Sequence, residues 1–218
     1  MTTMDWRPRA AVFDERATEY DRWYEGSPLF AIELGALREL ATPIARPALE
    51  IGVGPGRFAA ALGTRFGLDP AWAPLSLARK RGVLVSQGVG EQLPYRSGAF
   101  AGLYLLFTLC FLAEPAAVLA ECHRVLGPGG HLVLGLVPAA SPWGQALNAK
   151  RTADHPFYRH ARFYETGEAE RLLGEAGFAV VERRCTLLQP PGSELGPETS
   201  RAGALQEAGF VVLVGRKR

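Results

Sequence analysis

The stretch ALEIGVGPGRF, Ala48 to Phe58, constrains the fold more than any other part of the chain. Ala48, Leu49, Glu50 and Ile51 have the character of a short buried strand, and they run directly into Gly52, Gly54 and Gly56. Alternate glycines let the main chain turn sharply and let a ligand lie against bare backbone. A helix starting near Arg57 would point unpaired amides and its positive end at that ligand, which makes the stretch a candidate nucleotide cradle. The spacing is not the dinucleotide fingerprint, which wants a glycine where Arg57 stands. A plain strand-to-helix turn would use the same residues, so the downstream pattern has to decide.

That pattern is a regular alternation of strands and helices. After the glycine loop a helix runs to about Arg65, and Phe66, Gly67 and Leu68 form a second strand ending on Asp69 and Pro70. Asp69 falls 19 positions after Glu50, near the spacing at which a carboxylate meets ribose hydroxyls in strand-helix-strand nucleotide sites. An aspartate before a proline is also a common helix cap, so both roles stay open at this point. Leu75 to Arg81 predicts a helix and Val83 to Gln87 a third strand. Phe100 to Phe107, almost wholly apolar, predicts a central parallel strand covered on both faces. Pro115 to Val125 predicts a helix closed by Gly127, Pro128 and Gly129, and His131 to Leu136 a fifth strand. Such alternation argues a parallel sheet with right-handed crossovers and a ligand at the carboxyl ends of the strands.

The flanks differ from this core. The first forty residues hold no strand signal; helical spacing over Asp14 to Tyr24 and Leu29 to Leu40 predicts two helices ahead of the sheet. A further helix over Gln145 to Lys150, the aromatic and basic segment His155 to Tyr164, a helix from Thr166 to Ala176 and strands at Ala179 to Thr186 and Gly209 to Val214 complete the chain. We divide residues 1–218, read as one domain, into a helical cap (1–46), a core (47–137) and a segment of loops and closing strands (138–218).

Composition excludes several classes. Lys and Arg total 24 against 22 Asp and Glu, a net charge of +2, so no strong field draws the chain to nucleic acid or an anionic membrane, and small partners are favoured. Cys110, Cys122 and Cys185 include no CxxC pair, and no metal site is expected. The N-terminal residues lack an apolar signal core, and the apolar run Ala99 to Ala113 falls short of the roughly 20 residues that span a bilayer. A cytoplasmic protein is expected; oligomeric state has no signal.

Four ordered motifs carry a resemblance to the class I S-adenosylmethionine-dependent methyltransferases of the small, single-domain kind. LEIGVGPGR is similar to the family's acidic-glycine motif, GLDP (Gly67 to Pro70) to its ribose motif, GEQLP (Gly90 to Pro94) to its adenine-side turn, and HRVLGPGG (His123 to Gly130) to its turn into strand five. The resemblance implies a Rossmann-like α/β fold, with a seven-stranded, mostly parallel sheet, an antiparallel last strand, and helices on both faces. It implies S-adenosylmethionine as cofactor, with Gly52, Gly54 and Gly56 against its methionine part and Glu50 holding the ammonium directly or through water. Asp69 would bind the ribose, Pro70 would pack by the adenine, Gly90 and Glu91 would border the adenine edge, and the Leu106 carbonyl would face the ammonium. FDERATEYDRW, Phe13 to Trp23, resembles the lead-in of many such enzymes, in which an aromatic such as Tyr20 closes over the cofactor. Val89 stands where members often carry an acidic residue that accepts from the adenine amino group, so adenine recognition here would lean on backbone groups; Ala101 stands where another is often carried, which removes a structural contact.

Methyl transfer from a sulfonium is an in-line displacement in which positioning and exclusion of water do most of the work, so no catalytic motif is obligatory. A base is needed only if the acceptor must lose a proton; Tyr20, His155, Tyr158 and His160 are of suitable type, whereas His123 and His131 are read as structural. We place His155 to Tyr164 over the acceptor side of the cofactor, since it follows the fifth strand. The expected activity is methyl transfer to a small-molecule acceptor of unknown identity. A non-catalytic cofactor-binding regulator, or an NAD(P)-dependent dehydrogenase, is the alternative.

Overall fold

The computed structural model describes residues 6–218. Three helices lead in: α1 (Arg7–Glu15), α2 (Ala17–Arg22) and α3 (Pro28–Arg38). The core then alternates β1 (Ala48–Ile51), α4 (Arg57–Leu62), β2 (Phe66–Asp69), α5 (Trp72–Lys80), β3 (Leu84–Gln87), β4 (Phe100–Leu106), α6 (Pro115–Val125) and β5 (Leu126–Leu136). The closing part comprises α7 (Pro142–Thr152), α8 (Thr166–Glu175), β6 (Phe178–Thr186), β7 (Arg201–Ala202) and β8 (Phe210–Lys217).

The strands form one sheet in the order β3-β2-β1-β4-β5-β8-β6-β7. The pairs from β3 to β5 are parallel, while β8 runs antiparallel between β5 and β6. The order reverses between β1 and β4, the topological switch point at whose carboxyl edge sheets of this kind bind ligands. The expected seven strands are all present, and a two-residue strand, β7, is added at the β6 edge by pairing of Arg201 and Ala202 with Cys185 and Arg184.

Packing follows from the two-residue alternation of the central strands. Leu103 and Leu105 of β4, with Leu132 and Leu134 of β5, bury against Val118, Leu119 and Cys122 of α6. Tyr104 and Leu106, with Val133 and Val212, face the opposite layer, which holds Ile32 and Leu37 of α3 and Phe58 of α4. Complete burial of a leucine such as Leu103 contributes about 1.5–3 kcal/mol, so these strands hold the sheet centre rigidly beneath the site.

Three sequence expectations need adjusting. The helix placed over Asp14 to Tyr24 is two helices: Pro8 starts α1 early, and the backbone leaves helical geometry at Arg16, where φ is −125°. The helix placed over Gln145 to Lys150 is longer because Pro142 opens it and the Ser141 hydroxyl accepts the Gly144 N–H at 3.0 Å, a side-chain N-cap. The GPGG turn is drawn into β5, which begins at Leu126 opposite Phe100 and absorbs the extra residues as a register irregularity.

Candidate active site

The glycine loop lies between the ends of β1 and β2. Its amides are already engaged: Gly52 and Val53 donate to the Leu68 carbonyl (2.8 and 3.0 Å), Gly56 to the Val53 carbonyl (2.9 Å), and Gly54 to Asp69 Oδ2 (2.9 Å). The amides of these four loop residues are therefore taken by neighbouring carbonyls and a carboxylate. The loop serves by shape. The three glycines also divide their work. A Cβ on Gly52 would lie 2.3 Å from Thr108 Oγ1 and one on Gly56 2.7 Å from the Ala78 Cβ, so both are glycine for internal packing. Gly54, with φ +50°, would meet only the Tyr20 ring, at 3.7 Å, and is the glycine that fronts open space.

That space is a cavity of about 110 Å³. Among its walls are Gly52, Gly54, Asp69, Pro70, Gly90, Glu91, Leu106 and Tyr20, which brings together most of the residues that the sequence assigned to the cofactor. Gly56 is off the wall, behind the loop. Glu50 lies beneath the wall on β1, 3% exposed, with Oε2 lacking any partner. Burial, reinforced by the charge of Asp69 and opposed by a bond from the Ala59 backbone, pushes its carboxyl up to about 8. Asp69 accepts from Ala71 N–H with Oδ1 and from Gly54 N–H with Oδ2, both at 2.9 Å, so it braces the loop and the turn into α5. Burial outweighs those two bonds and pushes its carboxyl up to about 6. An ionised carboxylate has about four acceptor positions, and two remain for hydroxyl donors. The Leu106 carbonyl already accepts the Thr108 hydroxyl at 2.8 Å, and its second lone pair is left.

A second cavity, of about 370 Å³, opens on the other side of Tyr20. Phe13, Tyr20, Phe107 and Phe111 line both cavities. Phe107 has φ +53°, a conformation that costs a non-glycine residue energy and lets its ring stack on Phe210, 4.7 Å between centroids. Eleven aromatic residues line the larger cavity, including Phe157, Tyr158, Phe163 and Tyr164 from the segment placed over the acceptor side. The histidines of that segment are elsewhere. His155 is off the wall, tilted against Trp23 and Tyr158, and burial pushes its imidazole pKa down; His160 is exposed and lines neither cavity. Tyr158 and Tyr20 are phenols raised above their ordinary range, first by burial. His123 packs edge-on against Phe178 and His131 sits within β5, away from either cavity.

Three groups that the sequence reading did not single out shape the site, two by tying its parts together and one by lining it. Asp21 of α2 receives Arg57 Nε at 2.7 Å and Arg81 at 2.8 Å, and Arg81 also donates to the Pro55 carbonyl, which ties the lead-in helices to the glycine loop and α5. Burial works against the charge of Asp21, but these hydrogen bonds prevail and hold its carboxyl below the usual range. Arg124 of HRVL donates to the Leu93 and Tyr95 carbonyls while Glu121 accepts Leu93 N–H, so two of the four sequence motifs are physically one clasp that shapes the Gly90 to Pro94 turn. The third is Glu33, a carboxylate 5% exposed on the wall of the larger cavity. Its signal in the sequence was a lone charge in the apolar stripe of α3.

Comparison with known proteins places the chain in a family. A methyltransferase domain family model matches residues 49–134, from β1 through most of β5. A crystal structure from Thermotoga maritima, described as a SAM-dependent methyltransferase and possible histamine N-methyltransferase, superposes with a TM-score of 0.90 at 34% identity, covering 96% of this chain and 100% of that one. The chain belongs to the class I S-adenosylmethionine-dependent methyltransferases. An uncharacterized protein of Mycobacterium tuberculosis is 46% identical over 210 residues, 94% of this chain and 74% of that relative. A ubiquinone biosynthesis O-methyltransferase of Pseudomonas aeruginosa is 30% identical over 135 residues, 54% of this chain and 57% of that enzyme.

The residues present fit the family's cofactor: Gly54 leaves bare backbone facing the smaller cavity, Asp69 retains free acceptor positions, and the orphaned Glu50 Oε2 can receive a positive group. Among the described residues no group of three or more His, Cys, Asp and Glu side chains could hold a metal ion, and no helix is long and apolar enough to cross a membrane.

Proposed function

We propose that the protein transfers a methyl group from S-adenosylmethionine to a small, largely apolar acceptor. The observation that carries this reading is the pair of adjoining cavities: one beside Gly54 and Asp69, the other lined by aromatic rings, with Tyr20 and Phe107 at their junction. The cofactor's ribose would sit against Asp69, its adenine between Pro70 and the Gly90 to Glu91 turn, and its amino acid end near Leu106 and Glu50. The cofactor supplies an activated methyl on a cationic sulfur. The chain supplies position and dryness: the rings of Phe13, Tyr20, Phe111 and Phe157 exclude water from the junction, which favours an in-line displacement. Tyr20 and Tyr158, with raised phenols, serve as hydrogen-bonding walls and not as bases at neutral pH.

The relatives' names point to different acceptor atoms, oxygen in one and nitrogen in another. Calorimetric titration with S-adenosylhomocysteine and with NAD tests the reading: binding of the first in the low micromolar range, about 8 kcal/mol, supports it. Binding of NAD alone would overturn it.

A further inference from the structure

Resting on that reading, we propose that the larger cavity is built for an apolar molecule ending in a basic amine, and that Glu33 holds its nitrogen. Glu33 projects from the apolar stripe of α3 between the buried Ile32 and Leu34. It lines the cavity, and among the described residues it is the buried charged group there; the other ionic side chain on the wall, Lys150, is exposed at the rim. Tyr24 hydrogen-bonds to the carboxyl, while Oε2 has no partner. An unsatisfied carboxyl oxygen in a dry site costs stability unless something fills the position, and nothing in the fold does so. A nitrogen carrying protons is the partner that satisfies it.

The surroundings favour a cation over a neutral donor. The aromatic side chains of Trp23, Tyr24, Phe107, Trp143 and Tyr158 line the space, and aromatic rings attract positive charge more strongly when water is excluded. The titratable groups that feel the charge of Glu33 are the Tyr20, Tyr24 and Tyr158 phenols, all raised by burial first and by Glu33 to a smaller extent, and the Cys110 thiol and Tyr164 phenol on the same wall are likewise raised by burial. None supplies a positive charge. Burial pushes the Glu33 carboxyl itself up to about 8, so near neutral pH it is mostly protonated before an acceptor arrives.

This has a chemical consequence. An ammonium and a protonated Glu33 together carry one proton too many for a hydrogen-bonded pair, so binding releases one. In the complex a single proton is shared between the carboxyl and the nitrogen. When that proton rests on Glu33 and the nitrogen turns one of its remaining N–H bonds to the carboxyl oxygen, its lone pair is released from the hydrogen bond and forms the new N–C bond; the electron pair of the breaking S–C bond goes to sulfur, and the methylated nitrogen takes up the positive charge that sulfur loses.

The test uses the full chain saturated with S-adenosylhomocysteine and titrated calorimetrically with 2-phenylethylamine, 2-phenylethanol and phenylacetate. The amine is expected to bind at least about tenfold more tightly than the alcohol, and Glu33→Gln to remove that preference without changing affinity for S-adenosylhomocysteine. Buffers of different ionisation enthalpy should report release of about one proton per amine bound near neutral pH in the unaltered protein, a measurement that stands even if the variant fails to fold. Equal binding of the alcohol, tighter binding of phenylacetate at Lys150, persistence of the amine preference in Glu33→Gln, or absence of proton release would each overturn the proposal and leave the methyltransferase reading intact. Failure of S-adenosylhomocysteine itself to bind would overturn both.

Discussion

Replacing Asp69 by asparagine separates a ligand-binding carboxylate from a structural brace. Asp69 lines the smaller cavity and accepts from the Gly54 and Ala71 amides at 2.9 Å. If it were only a brace, its loss would lower stability and spare affinity. The carboxyl is nevertheless raised to about 6, so burial outweighs both bonds and the ionised group is on balance a burden on the fold. The sign follows: without ligand, the native state holds more protons than the unfolded chain between about pH 4 and about pH 6, and this group's contribution to stability falls as pH rises through that window. Asp69→Asn keeps an acceptor for Ala71, loses the charge, and turns an amide N–H₂ toward Gly54 or the ligand. We therefore expect its melting transition at about pH 8 to stay within about 1 kcal/mol of the unaltered protein. Affinity for S-adenosylhomocysteine should fall by about 1.5–3 kcal/mol, or roughly tenfold to a hundredfold, the scale of hydrogen bonds to a charged group. In the unaltered protein, affinity should also drop about tenfold from pH 8 to pH 5 as this carboxyl takes up a proton, and that component should vanish in the variant. Titration calorimetry and thermal melting over this pH range provide both readouts. Normal affinity with an earlier melt, or an unchanged pH profile in Asp69→Asn, would refute the reasoning.

Gly54→Ala should reduce cofactor affinity and cost about 1 kcal/mol of stability for a Cβ held at φ +50°, whereas Gly56→Ala adds to its own backbone cost a Cβ that strikes Ala78 and should lower the melting temperature further while sparing affinity; melting and calorimetry of the pair check this. Asp21→Ala leaves Arg57 and Arg81 without their shared carboxylate and should cost about 2–3 kcal/mol by denaturant titration, below the figure for a fully buried pair. Because the folded Asp21 carboxyl is depressed, its stabilising share is fully present above the unfolded value and is lost only as pH falls through the lower folded value; a variant equally destabilised well below that point would contradict the assignment. Once an acceptor is in hand, Tyr158→Ala should cut turnover with cofactor affinity unchanged, and the exposed His160→Ala should leave both unchanged; loss of turnover in the histidine variant would relocate the acceptor site.

The parallel core was legible because its signals are local. The apolar run of β4, the glycine hinge after β1 and the Asp69 to Pro70 strand end each depend on residues within a few positions of one another, where period and turn chemistry act directly. The same locality marked Gly54 and Asp69, the family resemblance added Pro70, Gly90 and Leu106, and all five line one cavity.

Contacts between distant segments were not legible. Nothing around Asp21 announces that Arg57 and Arg81, 36 and 60 positions away, will converge on it, and nothing in HRVL announces that its arginine will grip carbonyls 29 and 31 positions upstream. The division of labour among three similar glycines depends on Thr108 and Ala78, side chains that arrive from β4's end and from α5. His155 and His160 had the right chemistry in the sequence, but the turn of the chain beyond α7 sends Phe157 and Tyr158 to the cavity and leaves the imidazoles off its wall or in water. Glu33 is the sharpest case: in the sequence it is one charge in an apolar helix, and only the packing of α3 against the sheet takes it out of water and leaves one carboxyl oxygen without a partner.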